Sequence, residues 1–266
     1  MLAVCATPIG NLEDVTLRVL RALNDVDFIL CEDTRHTGGL LKRHGIHARL
    51  ISYHEHNEAA RIAELLPRLR GGESFALVSD AGLPGISDPG ARLIRAALES
   101  GIPVTVLPGP SSVETALVAS GLVGERYQFV GYLPRSEKAL AALWEELAGW
   151  RWPVVAFESP QRLPKTLRSL ETASPARPVA VCRELTKRFE EIVRGTAAEV
   201  AERFAEPPKG EIVLVLGAGA ERTSDESALI ETVSELVDAG IPRRRAADLV
   251  ARLTGASRNA LYRRTL

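Results

Sequence analysis

Over the first 112 residues, short apolar runs suited to strands alternate with segments whose apolar residues recur at helical spacing. Residues 2–7, 26–31, 49–53, 75–78 and 103–107 read as strands. Residues 14–23, a segment running through 40–43, residues 57–69 and residues 91–98 read as helices. Strict strand–helix alternation of this kind builds a mostly parallel sheet with helices packed on its faces. In such sheets ligands bind at the carboxyl ends of the strands. The loops at those ends are where function is to be sought.

Each predicted strand is followed by a polar or glycine/proline-rich loop. These are Thr7-Pro-Ile-Gly-Asn11, Glu32-Asp-Thr-Arg-His-Thr37, His54-Glu-His-Asn-Glu58, the long Ser79–Gly90 loop and Pro108-Gly-Pro-Ser-Ser112. The fourth, Ser79-Asp-Ala-Gly-Leu-Pro-Gly-Ile-Ser-Asp-Pro-Gly90, joins glycines that permit close backbone approach to prolines that stiffen the chain. Five such loops on one sheet edge predict a single crevice. Neither a Walker loop nor a dinucleotide fingerprint is present, which removes those two cofactor classes from the reading.

The rest of the chain is organised differently. A helix over 113–120 leads to strands at 128–130, 153–157, 178–183, 190–194 and 212–216. The short polar stretch 184–188 between two of them predicts a hairpin, and hence a mixed sheet. The expected domains are 1–112, α/β with a mostly parallel sheet; 113–217, α/β with a mixed sheet; and 225–266, a basic helical region. Residues 217–224 read as a linker, Asp225 as an N-cap, and 240–242 and 254–255 as breaks between two or three short helices. From 241 to 266 there are seven arginines against one acidic residue, Asp248, a composition suited to a polyanion.

Composition narrows the class. Hydrophobic residues are 45% and charged residues 25% of the 266, as in ordinary soluble globular chains, and the apolar runs are short of a membrane span. A cytoplasmic protein is expected, with Cys5, Cys31 and Cys182 as buried free thiols. All five histidines lie between 36 and 56. His54 and His56 would share one face of an extended segment, but without a completing set of ligands no metal is expected.

Several ordered motifs resemble the tetrapyrrole methylase superfamily. They are Thr7-Pro-Ile-Gly-Asn-Leu-Glu-Asp-Val-Thr16, Cys31-Glu-Asp-Thr-Arg35, Tyr53-His-Glu-His-Asn-Glu58, the 79–90 loop and Leu107-Pro-Gly-Pro-Ser-Ser112. Gly131-Tyr-Leu-Pro-Arg135, Phe157-Glu-Ser-Pro-Gln-Arg162, Arg183-Glu-Leu-Thr-Lys187 and Gly210-Glu-Ile-Val-Leu-Val215 continue the likeness, which covers residues 1–217. The porphyrinoid enzymes of the superfamily usually carry Gly-x-Gly-Pro-Gly near the N-terminus and Gly-Gly-Asp-Pro in the long loop. This chain has Thr7-Pro-Ile-Gly-Asn11 and Ser79-Asp-Ala-Gly82 instead, which resembles the branch that methylates 16S ribosomal RNA at a cytidine ribose 2′-OH.

The resemblance implies two α/β domains with S-adenosylmethionine folded into the cleft between them, a homodimer, and 16S rRNA of the small ribosomal subunit as partner. It implies that Pro8 and Gly10 wall the cofactor, that Asp80, Ala81 and Gly82 approach its methionine and ribose, and that Ser111 or Ser112 closes the other side. Leu83, Pro84 and Ile86 can supply apolar wall, and Asp80 can alternatively organise its own loop as an Asx turn.

Methyl transfer to a sugar hydroxyl needs a proton acceptor. Candidates are Asp33 first, then Glu32, His54, Glu55, His56 and Glu184 with Lys187; the Glu32–Arg35 cluster can equally be a structural ion pair. For RNA the candidates are Arg35, Lys42, Arg43, Arg135, Arg162, Arg183 and Lys187, with Tyr53 or Tyr132 stacking on a base. Two other readings stay open: a porphyrinoid C-methyltransferase, and a non-catalytic RNA-binding protein that keeps the cleft as a scaffold.

Overall fold

A computed structural model describes residues 1–219, 226–254 and 256–265, with Glu226 and Ser227 described in backbone only. Two compact units emerge: residues 1–144 with 152–217, and residues 145–151 with 218–266. The sequence-predicted N-cap Asp225, most of the 217–224 linker and the break at Gly255 lie outside the described residues.

The first unit holds two five-stranded sheets. In the first sheet, β1 (Leu2–Cys5), β2 (Phe28–Cys31), β3 (Arg49–Ser52), β4 (Phe75–Leu77) and β5 (Val104–Leu107) lie in the order β3-β2-β4-β1-β5, every pair parallel. The helices α1 (Leu17–Asp25), α2 (Thr34–Arg43), α3 (Glu58–Arg70) and α4 (Ala91–Glu99) cross between them. Side-chain alternation along the strands gives each face its own core. Leu2, Val4, Leu30 and Leu77 pack beneath Leu65, Leu69 and Leu93. Ala3, Cys5, Ile29 and Ala76 pack against Val19, Leu23 and Leu41. With both faces covered, the strands are near-continuously apolar, as parallel sheets require. Because all five are parallel, all five carboxyl ends share one edge.

The second sheet runs in the order β6-β7-β10-β8-β9, from β6 (Gln128–Tyr132), β7 (Val154–Glu158), β8 (Pro178–Arg183), β9 (Glu191–Thr196) and β10 (Ile212–Leu216). Only β6 and β7 are parallel, and β8 and β9 form the expected hairpin. Helix α5 (Ser112–Ser120) places Val113, Ala116 and Leu117 on one face, against Val155, Ala180, Cys182 and Val213. Three helices come without a specific sequence expectation: α6 (Glu137–Leu147), α7 (Leu163–Ala173) and α8 (Ala197–Arg203). The last begins at a capping box between Thr196 and Glu199.

In the second unit α9 (Glu226–Asp238), α10 (Arg243–Thr254) and α11 (Arg258–Arg264) surround Val233, Ala246, Ala247, Val250 and Leu261. Small residues on α10 let the helices approach closely. None of the described helices is long and apolar enough to cross a membrane. All three cysteines are buried free thiols, and burial pushes Cys5 and Cys182 up to about 12.

Candidate active site

Thr7, just past β1, meets the long loop that follows β4. Its amide donates to the Gly82 carbonyl at 2.8 Å, and the Gly82 amide returns the bond at 3.1 Å. The Thr7 hydroxyl also donates to the Ser79 carbonyl at 2.9 Å. Gly82 sits at φ +77°, a backbone conformation that costs a residue with a Cβ about 1–2 kcal/mol. The two loops are thereby fixed to each other at the sheet edge.

Above that edge, between the two sheets, lies a cavity of about 650 Å³, within the range of small-molecule and cofactor sites. The first sheet contributes Ile9, Glu32 and residues 80–83, 86 and 88, and the start of α5 contributes Ser111, Ser112 and Val113. The second sheet contributes Tyr132, residues 157–160, Cys182, Leu185 and residues 210–213. Four of the five loops expected to converge therefore do so. The loop after β3 does not line the cavity; it ties into the core instead, where Glu58 Oε1 accepts from the Tyr53 hydroxyl at 2.7 Å and from the Gly90 amide at 3.3 Å.

Charge in the cavity is one-sided. Glu158 is neutralised by Arg162 at 2.5 Å and Glu211 by Lys187 at 2.9 Å. Glu32, Asp80 and Asp88 form no ion pair with any described residue. Burial, then the Asp80 charge, raises the pKa of Glu32. Burial, then the charges of Glu32 and Asp80, lifts that of Asp88 to about 6. Unpaired negative charge beside Ile9, Leu83, Val113 and Phe157 suits a ligand with cationic groups and an apolar body.

Most of the expected cofactor residues meet here, and three do not. Asp80, Ala81, Gly82, Leu83, Ser111 and Ser112 line the cavity. Pro8 is buried and is not part of its lining. Pro84 faces a separate groove beside α4. Gly10 packs against the loop after β8: a Cβ there would stand 2.5 Å from Lys187 Cγ and 2.9 Å from the Leu185 carbonyl. Its role is close approach of two loops rather than wall.

The expected catalytic residues also separate. Asp33 caps α2, accepting from the Arg35 amide at 2.8 Å, and is held by the Arg35 guanidinium at 2.9 Å. Those bonds keep its carboxyl down at about 2. Only its amide faces the site, donating to Asp80 Oδ1 at 3.3 Å. His54 lies outside the cavity lining, its Nε2 beside Asn57 Nδ2 at 3.2 Å. Glu32 is the one catalytic candidate that lines the cavity.

Among the RNA candidates, Tyr53 is corrected: at 1% exposure in the first core it cannot stack on a base. Arg162 is taken up by Glu158 and the Leu133 carbonyl, and Lys187 by Glu184 and Glu211, so neither is free for phosphate. Arg35 remains highly exposed, and Arg135 is exposed with no ion pair to a described residue. Tyr132 stands at the cavity, 66% exposed, its ring edge against Phe157. Asp88 and residues 210–213 had no expected role; their motifs are visible in the sequence, but nothing in the pattern says that the second sheet faces the first.

Two α/β sheets thus close on a cavity at the carboxyl ends of parallel strands. Residues 1–201 match the Tetrapyrrole (Corrin/Porphyrin) Methylases, and residues 224–266 match the RsmI C-terminal HTH domain. The chain is 44% identical to the ribosomal RNA small subunit methyltransferase I of Mesorhizobium japonicum, over 100% of this chain and 91% of that one. It is also 44% identical to the protein of the same name from Halalkalibacterium halodurans, over 88% and 81%. A Thermus thermophilus uroporphyrin-III C-methyltransferase complexed with S-adenyl homocysteine shares the fold, with TM-score 0.57 and 19% identity over 81% of this chain and 96% of that one. The chain belongs to the tetrapyrrole methylase family and, within it, to the ribosomal RNA small subunit methyltransferase I group.

Proposed function

We propose that this chain transfers a methyl group from S-adenosylmethionine to the ribose 2′-OH of a decoding-centre cytidine in 16S rRNA of the small ribosomal subunit. The observation that supports it most is the intersheet cavity, half apolar and bearing unpaired carboxylates, in a chain 44% identical to named rRNA methyltransferases. A sulfonium donor, when bound, supplies an electrophilic methyl carbon and a neutral leaving group.

The residues present fit such a donor. Asp80 and Glu32 can balance its cationic groups, the backbone of Asp80–Gly82 can approach its methionine and ribose, and Leu83, Val113 and Phe157 can cover its apolar parts. The protein's main contribution is orientation, because the hydroxyl oxygen must meet the methyl carbon in line with the bond to sulfur. The Thr7–Gly82 pairing supplies a fixed wall for that purpose.

For RNA, exposed Tyr132 and Arg135 flank one side, and Arg35 the other. Arg244, Arg245, Arg258 and Arg263 on α10 and α11 are exposed and form no ion pair with described residues, which suits phosphate binding. A homodimer is part of the reading. The β5 edge exposes Val106 beside an apolar groove of about 480 Å³ lined by Leu83, Pro84, Ile86, Ile94 and Leu98. A monomer by sedimentation would contradict that element.

The test is transfer of labelled methyl from the donor to isolated small subunits, followed by mapping of alkali-resistant positions. One methylated ribose is expected. Label entering uroporphyrinogen or a precorrin, or nothing at all, would overturn the RNA assignment.

A further inference from the structure

Asp88 is a half-buried carboxylate in the lining of the cavity. It belongs to the loop after β4, and the residue before it, Ser87, holds a left-handed backbone at φ 61° without being glycine. Such conformations persist where the surroundings over-determine them. A Cβ at Gly131 would lie 3.9 Å from Ser87 Oγ, so the loop tip reaches the end of β6 in the other sheet. Burial, then the charges of Asp88 and Glu211, raises the phenol of Tyr132, the next residue in that strand.

The other carboxylates are less suited to meet a hydroxyl. Asp80 Oδ1 is engaged by the Asp33 amide. Glu32 is exposed on the far loop. Asp33 is locked to Arg35 outside the cavity. Asp88 is half-buried, lines the cavity and adjoins the exposed ring of Tyr132. The groups facing it are the carboxylates of Glu32 and Asp80, the hydroxyl of Ser79 and the phenol of Tyr132; Arg162 and Glu211 act on that phenol in turn.

We infer that Asp88 takes the proton from the attacking hydroxyl during methyl transfer. This rests on the reading of the cavity as a methyl-transfer site. As the oxygen–methyl bond forms and the carbon–sulfur bond breaks, the hydroxyl proton passes to the Asp88 carboxylate. The bonding pair stays with sulfur, which becomes neutral, and the carboxylic acid then returns its proton to solvent. A general base works best with its pKa near the working pH. Asp88, lifted to about 6 by burial and by its two acidic neighbours, is ionised at neutral pH yet more basic than an ordinary aspartate.

The test is single-turnover methylation of small subunits by wild type, D88N and D88E, with donor binding measured by calorimetry. D88N should transfer methyl at least about 100-fold more slowly, with donor affinity and RNA KM within about threefold of wild type. D88E should recover part of the rate. The wild-type rate should fall about tenfold per unit as pH drops below about 6 and level off above it. D88N within threefold of wild type, with the same acid limb, would overturn the assignment. If D88N does not fold, the wild-type profile decides, since a flat rate from about pH 5 to 8 would equally exclude a base of this kind. Wild type without any transfer would instead refute the methyltransferase reading itself.

Discussion

Thr7 and Gly82 exchange both backbone hydrogen bonds, at 2.8 and 3.1 Å, although 75 residues separate them in the chain. This isolated bridge fixes the first loop of the parallel sheet to the long glycine-rich one, and the Thr7 hydroxyl adds a third bond to the Ser79 carbonyl. Thr7→Val keeps the shape of the side chain and removes that bond, together with the longer contact from the same hydroxyl to the Gly82 carbonyl at 3.4 Å. It should cost about 1 kcal/mol of stability in denaturant unfolding. It should also weaken donor binding several-fold in calorimetry, because the loop wall loosens. Unchanged affinity would show that the loop does not shape the site.

Tyr53 is a core residue whose hydroxyl donates to the buried Glu58. Tyr53→Phe should lower stability by about 1–3 kcal/mol, since Glu58 loses a partner inside the protein. Its effect on RNA affinity in filter binding should be negligible. A selective loss of RNA binding without a loss of stability would restore the stacking role.

Asp33 caps α2 and pairs with Arg35, which holds its carboxyl at about 2 and leaves it ionised but weakly basic. Asp33→Asn retains a side-chain cap. Its turnover should stay within a few-fold of wild type, with the same dependence on pH between 5 and 8. A loss of about 100-fold or more would assign the proton acceptor to Asp33.

Arg258 and Arg263 lie exposed on α11, without ion pairs to described residues. Removing both should reduce the slope of log affinity against log salt by about 1.5–2 and leave donor binding unchanged. A slope equal to wild type would place the phosphate contacts elsewhere.

Much of this molecule is legible in its sequence because the physics is local. The alternation of apolar runs and helical spacing up to Leu107 follows from burial of both sheet faces. The polar stretch after Arg183 joins two antiparallel strands, as its length requires. Strand ends are less exact: residues 26–31 read as one strand, yet β2 begins at Phe28, because Val26 ends α1, its amide donating to the Ala22 carbonyl. Side-chain direction is less legible still. Tyr53 and Tyr132 look alike in sequence, each at or just past the end of an expected strand. Only the fold sends one into the core and the other to the cavity. Asp33 follows its strand directly, as a cleft residue should, but the first turn of α2 draws its carboxyl away to cap the helix. Asp88 is illegible for the opposite reason, since its position depends on a left-handed turn at Ser87 that composition does not announce.

The claim that the cavity between the sheets holds the sulfonium donor is tested most directly by calorimetric titration of S-adenosylmethionine into wild type and Ala81→Trp. Ala81 lines the cavity and is exposed, so the indole fills the space without disturbing the core. Wild type should bind one donor per chain, and Ala81→Trp should lose that binding while melting at the wild-type temperature. Equal binding by both proteins, or none by wild type, would contradict it.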